Sequence, residues 1–176
     1  MNYFEVLGLP VQLLVDKTTL TRRFHAIAVQ EGSGLHETGS TNASGSDLQR
    51  SSNVTTAYKT LLNPDETIRY VLQLKGLMHE EEKYEPDPEF LMELAQISEA
   101  LAAFTEGEQD KAEAIELDIK ELLKQSYAAI EPVIKNYSED RDTEKELLQV
   151  KEYYYRKKYL QHVLDKVMQM RNIAAL

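Results

Sequence analysis

From residue 112 to residue 133, small or apolar side chains return at alternating steps of three and four: Ala112, Ile115, Ile119, Leu122, Ser126, Ala129 and Val133. A seam with that rhythm runs down one side of an α-helix. It has no counterpart in a strand, where facing residues repeat every second position. Leu123, Ile130 and Ile134 widen the seam. Pro132 falls late in the pattern, where its missing N–H predicts a kink in the last turn. Residues 138–142 (SEDRD) read as a turn. A last helix is predicted from Thr143 to Ile173, with Leu147, Val150, Tyr154, Leu160, Val163, Val167 and Met170 available for packing. Ahead of the seam, Asp87 is an N-cap with Pro88 at the first helical position. That helix runs through FLMELAQISEALAAF to about Thr105, and Gly107 breaks it. Three antiparallel helices with short loops make a bundle.

The first half of the chain is helical by the same reasoning. Residues 2–10 (NYFEVLGLP) form a short apolar turn of helix closed by Gly8 and Pro10. Asp16 caps a segment in which Leu20, Phe24 and Ile27 fall at i, i+4, i+7, with Arg22 and Arg23 off that stripe. Gly32-Ser33-Gly34 is expected to end this helix, and the Gly/Ser/Thr/Asn-rich run 32–46 is expected to be a flexible loop. Ser46 or Asp47 caps a helix to about Leu62, buried through Val54, Ala57 and Leu61. Asn63-Pro64-Asp65 then restarts a helix with an apolar face of Ile68, Val71, Leu72 and Leu74, ended by Gly76. No β pattern and no repeat appears, so the expected class is all-α. The acidic stretch 77–89, with Pro86 and Pro88, carries the linker, placed at 77–87 between module 1–76 and module 88–176. Charge divides the same way. Residues 1–75 carry seven basic and seven acidic side chains, whereas all ten excess negatives lie after them.

Composition removes several functions. With no Cys there is no disulfide, no thiol catalysis and no cysteine-ligated zinc or iron–sulfur cluster held by this chain. The four histidines, His25, His36, His79 and His162, have no metal-ligand spacing such as H-E-x-x-H. His36 beside Glu37 could hold a metal only with help from elsewhere, so it reads as a loop histidine. Glu80 and Glu82 read as a solvated charge run, and Gly32-Ser33-Gly34 lacks a phosphate-loop context. No catalytic residue, metal or cofactor is expected. A net charge of −10 repels nucleic acid and anionic membrane surfaces. No apolar run approaches the ~20 residues of a membrane span, and no signal peptide is visible. The expectation is a cytoplasmic protein.

Four stretches carry a family resemblance. NYFEVLGLP, AYKTLLNPDETIRYVLQLKG at 57–76, DPEFLMEL at 87–94 and YYYRKKYL at 153–160 resemble, in order and at matching separations, the HscB-type J-domain co-chaperones of iron–sulfur cluster biogenesis. The resemblance spans essentially the whole chain. It implies an N-terminal J domain built on a helical hairpin and a C-terminal three-helix bundle. It implies two partners as well. The J domain engages a DnaK/HscA-type chaperone and stimulates its ATP hydrolysis, while the bundle holds the cluster scaffold IscU. By resemblance the scaffold surface maps to Leu91, Met92, Ala95, Gln96 and Glu99, with Tyr159 on the last helix. The family usually has a larger apolar residue at Ala95 and an acid at Gln96. Leu91, Met92, Ala95 and Glu99 fall at i, i+1, i+4 and i+8, on one helix face. They form either an exposed partner patch or, in the case of Leu91 and Met92, part of the bundle interior.

One departure is larger. The family carries His-Pro-Asp after the second helix, and ungapped alignment from Phe24 puts that tripeptide on Gly32-Ser33-Gly34. Gln30 and Leu35-His36 keep the flanks recognisable. Asn63-Pro64-Asp65 resembles the tripeptide in letters only. Gly and Ser bring no charge to the chaperone contact, and Gly adds backbone entropy that docking must overcome. The basic face of the second helix keeps Lys17, Arg22 and Arg23, but Ala28, Val29 and Glu31 dilute the end nearest the tripeptide. The implied chaperone-binding residues are therefore Arg22, Arg23, Gly32, Ser33 and Gly34, with impaired ATPase stimulation. The alternatives are a scaffold-binding module with no stimulation, and a helical adaptor with unrelated partners.

Overall fold

The structure, a computed structural model, describes residues 1–37, 45–80, 82–104, 108–141 and 143–174. Its elements are α1 (Tyr3–Val6), α2 (Lys17–Glu37), α3 (Gly45–Leu62), α4 (Pro64–Leu74), α5 (Pro88–Ala102), α6 (Gln109–Asn136) and α7 (Glu144–Ala174). The described residues are all-α, as the periodicity requires. They divide into two compact units, one of Met1–His79 with Ile134–Thr143, the other of Glu80–Val133 with Glu144–Leu176. The end of α6 and the turn that follows it, residues 134–143, read from sequence as part of the bundle, thus group with the N-terminal unit.

In the first unit, α1 is held by a reciprocal cap. The Asn2 Oδ1 accepts from the Glu5 N–H and the Asn2 N–H donates to Glu5 Oε2, both at 2.9 Å. Tyr3 stacks on Tyr70 of α4 with centroids 4.2 Å apart, and its N–H donates to the Tyr70 hydroxyl. The α2–α3 pair is an antiparallel hairpin. Phe24, near the start of α2, stacks at 4.3 Å on Tyr58, near the end of α3. Leu20, Val54, Ala57, Leu61, Ile68, Val71 and Leu72 are buried as their spacing predicts, whereas Leu74 is exposed. Asn63 caps α4 through bonds from Asp65 N–H and Glu66 N–H. Gly76, at φ +70°, ends it. The Leu77 N–H reaches the Leu72 carbonyl and the Gly76 N–H reaches that of Gln73, a paired closure that needs a left-handed residue at Gly76. Tyr137 is buried in this unit, and Lys75 donates to Glu139.

The expected break at Gly32 is corrected. The α2 backbone stays helical through Gly32-Ser33-Gly34 to Glu37. Glycine weakens a helix interior by about 1 kcal/mol relative to alanine, but unlike proline it neither clashes nor removes a donor, so neighbouring turns can carry it. Of the rest of the predicted loop, 38–44 lies outside the described residues, and Gly45 and Ser46 are already the first turn of α3.

The second unit is centred on Phe90, Ala112, Ile115, Ile119, Leu160, Leu164 and Val167, with Leu94, Ile97, Leu101, Leu122, Leu123 and Val163 packed around them. α5 starts at Pro88 with the Asp87 carboxylate accepting from the Phe90 N–H at 2.9 Å. It stops at Ala102, short of the expected Thr105. The α6 seam changes register along its length. Ala112, Ile115 and Ile119 are buried, but further on Ile130 is buried and Ala129 is exposed. A straight helix turns every 3.6 residues, so a strict seven-residue stripe drifts out of the contact within a few turns. Pro132 lies inside α6, which continues to Asn136. α6 and α7 run antiparallel. Arg171, near the end of α7, donates to Glu116 near the start of α6 at 2.7 Å, while Tyr153 meets Tyr127. Lys120 Nζ donates to the other Glu116 oxygen, and these cations hold the buried carboxyl below the ordinary glutamate range. The non-helical stretch before α5 carries specific contacts. Tyr84 stacks on Tyr155 at 4.3 Å and Lys151 donates to Glu82. No helix among the described residues is long and apolar enough to cross a membrane.

Candidate partner-binding surfaces

α5 presents two opposite faces. Phe90, Leu94, Ile97 and Leu101 turn inward to the core. At about 100° per residue this leaves Met92, Ala95, Gln96 and Glu99 centred on the outer side, with Leu91 at its margin. Leu91 is 49% and Met92 66% exposed, so neither packs in the bundle interior. Ala95, Gln96 and Glu99 are exposed beside them. All five helical residues of the sequence-derived scaffold surface therefore share one solvent-facing strip.

Tyr159, the sixth residue of the sequence-derived surface, lies on α7 and meets α5 at Phe90, on its inward face. Its partly exposed ring meets Phe90 edge-on, with centroids 6.2 Å apart and planes at 67°. The Arg156 guanidinium, one turn earlier, lies over the Phe90 ring, 4.7 Å from its centroid, and donates to Glu93 at 2.9 Å. Phe90 is thus held by aromatic and cationic contacts from α7, which fixes the first turn of α5. Sequence reading missed Arg156 and Glu93. Their only signal was the basic RKK run within YYYRKKYL, and spacing does not reveal which of the three cations turns inward. Burial raises the Tyr84 hydroxyl above its ordinary value, with the Glu152 charge adding to the effect. A groove of about 360 Å³ runs between α5 and α6, lined in part by Gln96, Ile97, Ala100 and Leu122.

The sequence-derived chaperone surface lies on α2. Arg22 and Arg23 are exposed near its start. Asp16 caps this end, its carboxylate accepting from the Thr19 N–H at 2.7 Å, which lowers its pKa. Val29 is exposed and is not core. Gly32, Ser33 and Gly34 sit on the same continuous helix, with Ser33 three turns beyond Arg22, about 16 Å along the axis. The tripeptide positions therefore occupy helix and not a turn. Among the described residues, no group of three or more His, Asp or Glu could hold a metal ion.

Residues 86–168 match the family model described as the HSCB C-terminal oligomerisation domain. A co-chaperone protein HscB homolog of Vibrio cholerae is 32% identical over 125 residues, covering 68% of this chain and 71% of that protein. The chain belongs to the HscB co-chaperone family. The HscB homolog of Psychromonas ingrahamii is 30% identical over 137 residues, covering 77% of this chain and 81% of the relative. Among solved structures, chaperone HscB from Vibrio cholerae aligns at a TM-score of 0.66 with 23% identity, over 98% of both chains. The human co-chaperone protein HscB aligns at 0.68 with 22% identity, over 96% of this chain and 81% of its own. The architecture is accordingly that of an HscB protein, a J domain followed by a helical bundle.

Proposed function

We propose that this HscB-family chain holds an IscU-type iron–sulfur scaffold on the outer face of α5 and presents it to a DnaK/HscA-type chaperone in the cytoplasm. Its stimulation of that chaperone's ATP hydrolysis is impaired. It acts as a regulator and not as an enzyme, and it needs no cofactor. The observation that carries this reading is the exposure of Leu91 and Met92, side by side on a helix whose other face is fully used by the core. A soluble helix gains nothing from exposed large apolar groups, whereas docking that buries them gains about 1.5–3 kcal/mol for each. Glu99 and Gln96 supply a polar rim that orients a partner without paying for a buried charge. Tyr159, anchored on Phe90, adds a rigid aromatic at the edge.

A second reading, a scaffold-binding module with no chaperone stimulation, is favoured by the helical course of α2 through Gly32-Ser33-Gly34. A helix interior there offers neither the charge nor the turn that the family's His-Pro-Asp brings to the chaperone. The test is a pull-down with the scaffold combined with steady-state ATP hydrolysis by the chaperone. The comparison protein carries Gly32→His, Ser33→Pro and Gly34→Asp. Scaffold capture with weak stimulation that the triple replacement raises is the expected result. Capture with none until the replacement selects the second reading. Absence of capture overturns both.

A further inference from the structure

We infer that Met92 is an oxidation site through which peroxide controls scaffold docking, an inference that rests on the α5 reading above. The chain has no cysteine, so its only sulfur atoms are those of five methionines. They differ sharply in access. Met78 is buried at 4%, Met168 is 38% exposed, Met170 is partly buried, and Met92 is 66% exposed; Met1, at the chain end, is more exposed still. Of the four internal methionines, Met92 is the most open, and it alone sits in the apolar strip of α5. Its neighbour one turn on is Ala95, whose single methyl leaves the thioether uncovered.

The chemistry is a two-electron oxidation. The Met92 sulfur attacks one oxygen of hydrogen peroxide, the O–O bond breaks, and the S–O bond forms. The displaced hydroxide takes up a proton, so that methionine and peroxide become methionine sulfoxide and water. The product is polar and chiral, and enzymes of the methionine sulfoxide reductase class return it to the thioether. An apolar partner closing over the sulfoxide must strip water from its oxygen without supplying a donor, which opposes docking. The α5 surface thereby becomes a reversible redox gate: scaffold carriage is lost under peroxide and regained on reduction.

The test treats the full-length protein with hydrogen peroxide, locates sulfoxides by peptide mass spectrometry, and titrates the scaffold before and after. Met92 is expected to oxidise ahead of Met168 and well ahead of Met78. Scaffold affinity should fall at least about tenfold, the size of one lost hot-spot contact, and return after reductase treatment. Far-UV circular dichroism keeps loss of fold apart from loss of docking. Met92→Leu sets its own starting affinity, and the treated-to-untreated ratio for that variant should be unity; Met168→Leu should respond as the parent does. Scaffold binding that survives full oxidation of Met92, or a loss that persists in Met92→Leu, overturns this inference alone. Absence of binding by the untreated protein overturns the α5 docking reading and the inference with it.

Discussion

Replacing Phe90 with alanine should remove the contact on which both the second core and the α5 surface depend. Phe90 is 2% exposed and sits among Ile115, Ile119, Leu160 and Leu164. Truncation to alanine at such a site costs about 3–5 kcal/mol, through lost transfer energy and the cavity left behind. The ring also receives Arg156 at 4.7 Å and the edge of Tyr159. Phe90→Leu keeps most of the apolar volume but loses both ring contacts, so it should cost roughly 1–2 kcal/mol. A cycle combining Phe90→Leu with Arg156→Gln isolates the cation–ring contact, expected at about 0.5–1 kcal/mol. The assay is urea unfolding followed by far-UV circular dichroism, fitted with a separate transition for each unit. A loss below about 1 kcal/mol for Phe90→Ala would show that Phe90 is not the anchor of α5 and refute the reasoning.

Other consequences follow from individual residues. Glu116 has a folded pKa below its ordinary value of 4.5, held there first by its Lys120 hydrogen bond and then by Arg171. A lowered folded pKa contributes stability above the unfolded value that is lost as pH falls through the folded one. Thermal denaturation should therefore show a Glu116-dependent decline on acidification below about pH 4.5, blunted in Glu116→Gln; an identical pH profile in that variant would dismiss the ion-pair assignment. Because α2 is helical at Gly34, Gly34→Ala should raise stability by up to about 1 kcal/mol in urea unfolding, whereas a destabilisation would mean that the glycine adopts a conformation closed to alanine.

Much of this architecture is legible in the chain because it rests on local signals. Asp87, Asn63 and Gly76 mark helix ends with side-chain acceptors or a left-handed turn, and each acts as its type predicts. Ile68, Val71 and Leu72 of α4 and Ala112, Ile115 and Ile119 of α6 are buried as their spacing predicts, whereas Leu74 is exposed and the buried Thr67 and Glu116 lie outside the apolar pattern. What spacing cannot carry is drift and tertiary choice. Ala129 belongs to the seven-residue stripe yet is exposed, because a helix of 3.6 residues per turn drifts out of a strict seven-residue repeat and brings Ile130 inward instead. Gly32 and Gly34 read as breakers, but glycine breaks a helix only where an alternative is more stable. The outer face of α5 was legible as a periodic strip, while its exposure depended on where α7 lies. The Arg156 contact with Phe90 and Glu93 links residues more than sixty positions apart, beyond any local pattern.

Calorimetric titration of an IscU-type scaffold into the full-length protein and into its Leu91→Ala, Met92→Ala double variant tests the central claim most directly. The expected result is saturable one-to-one binding with a negative heat-capacity change, weakened at least about a hundredfold in the double variant. Equal affinity for the two proteins, with the fold of the variant intact, would place the scaffold elsewhere and contradict the assignment of α5.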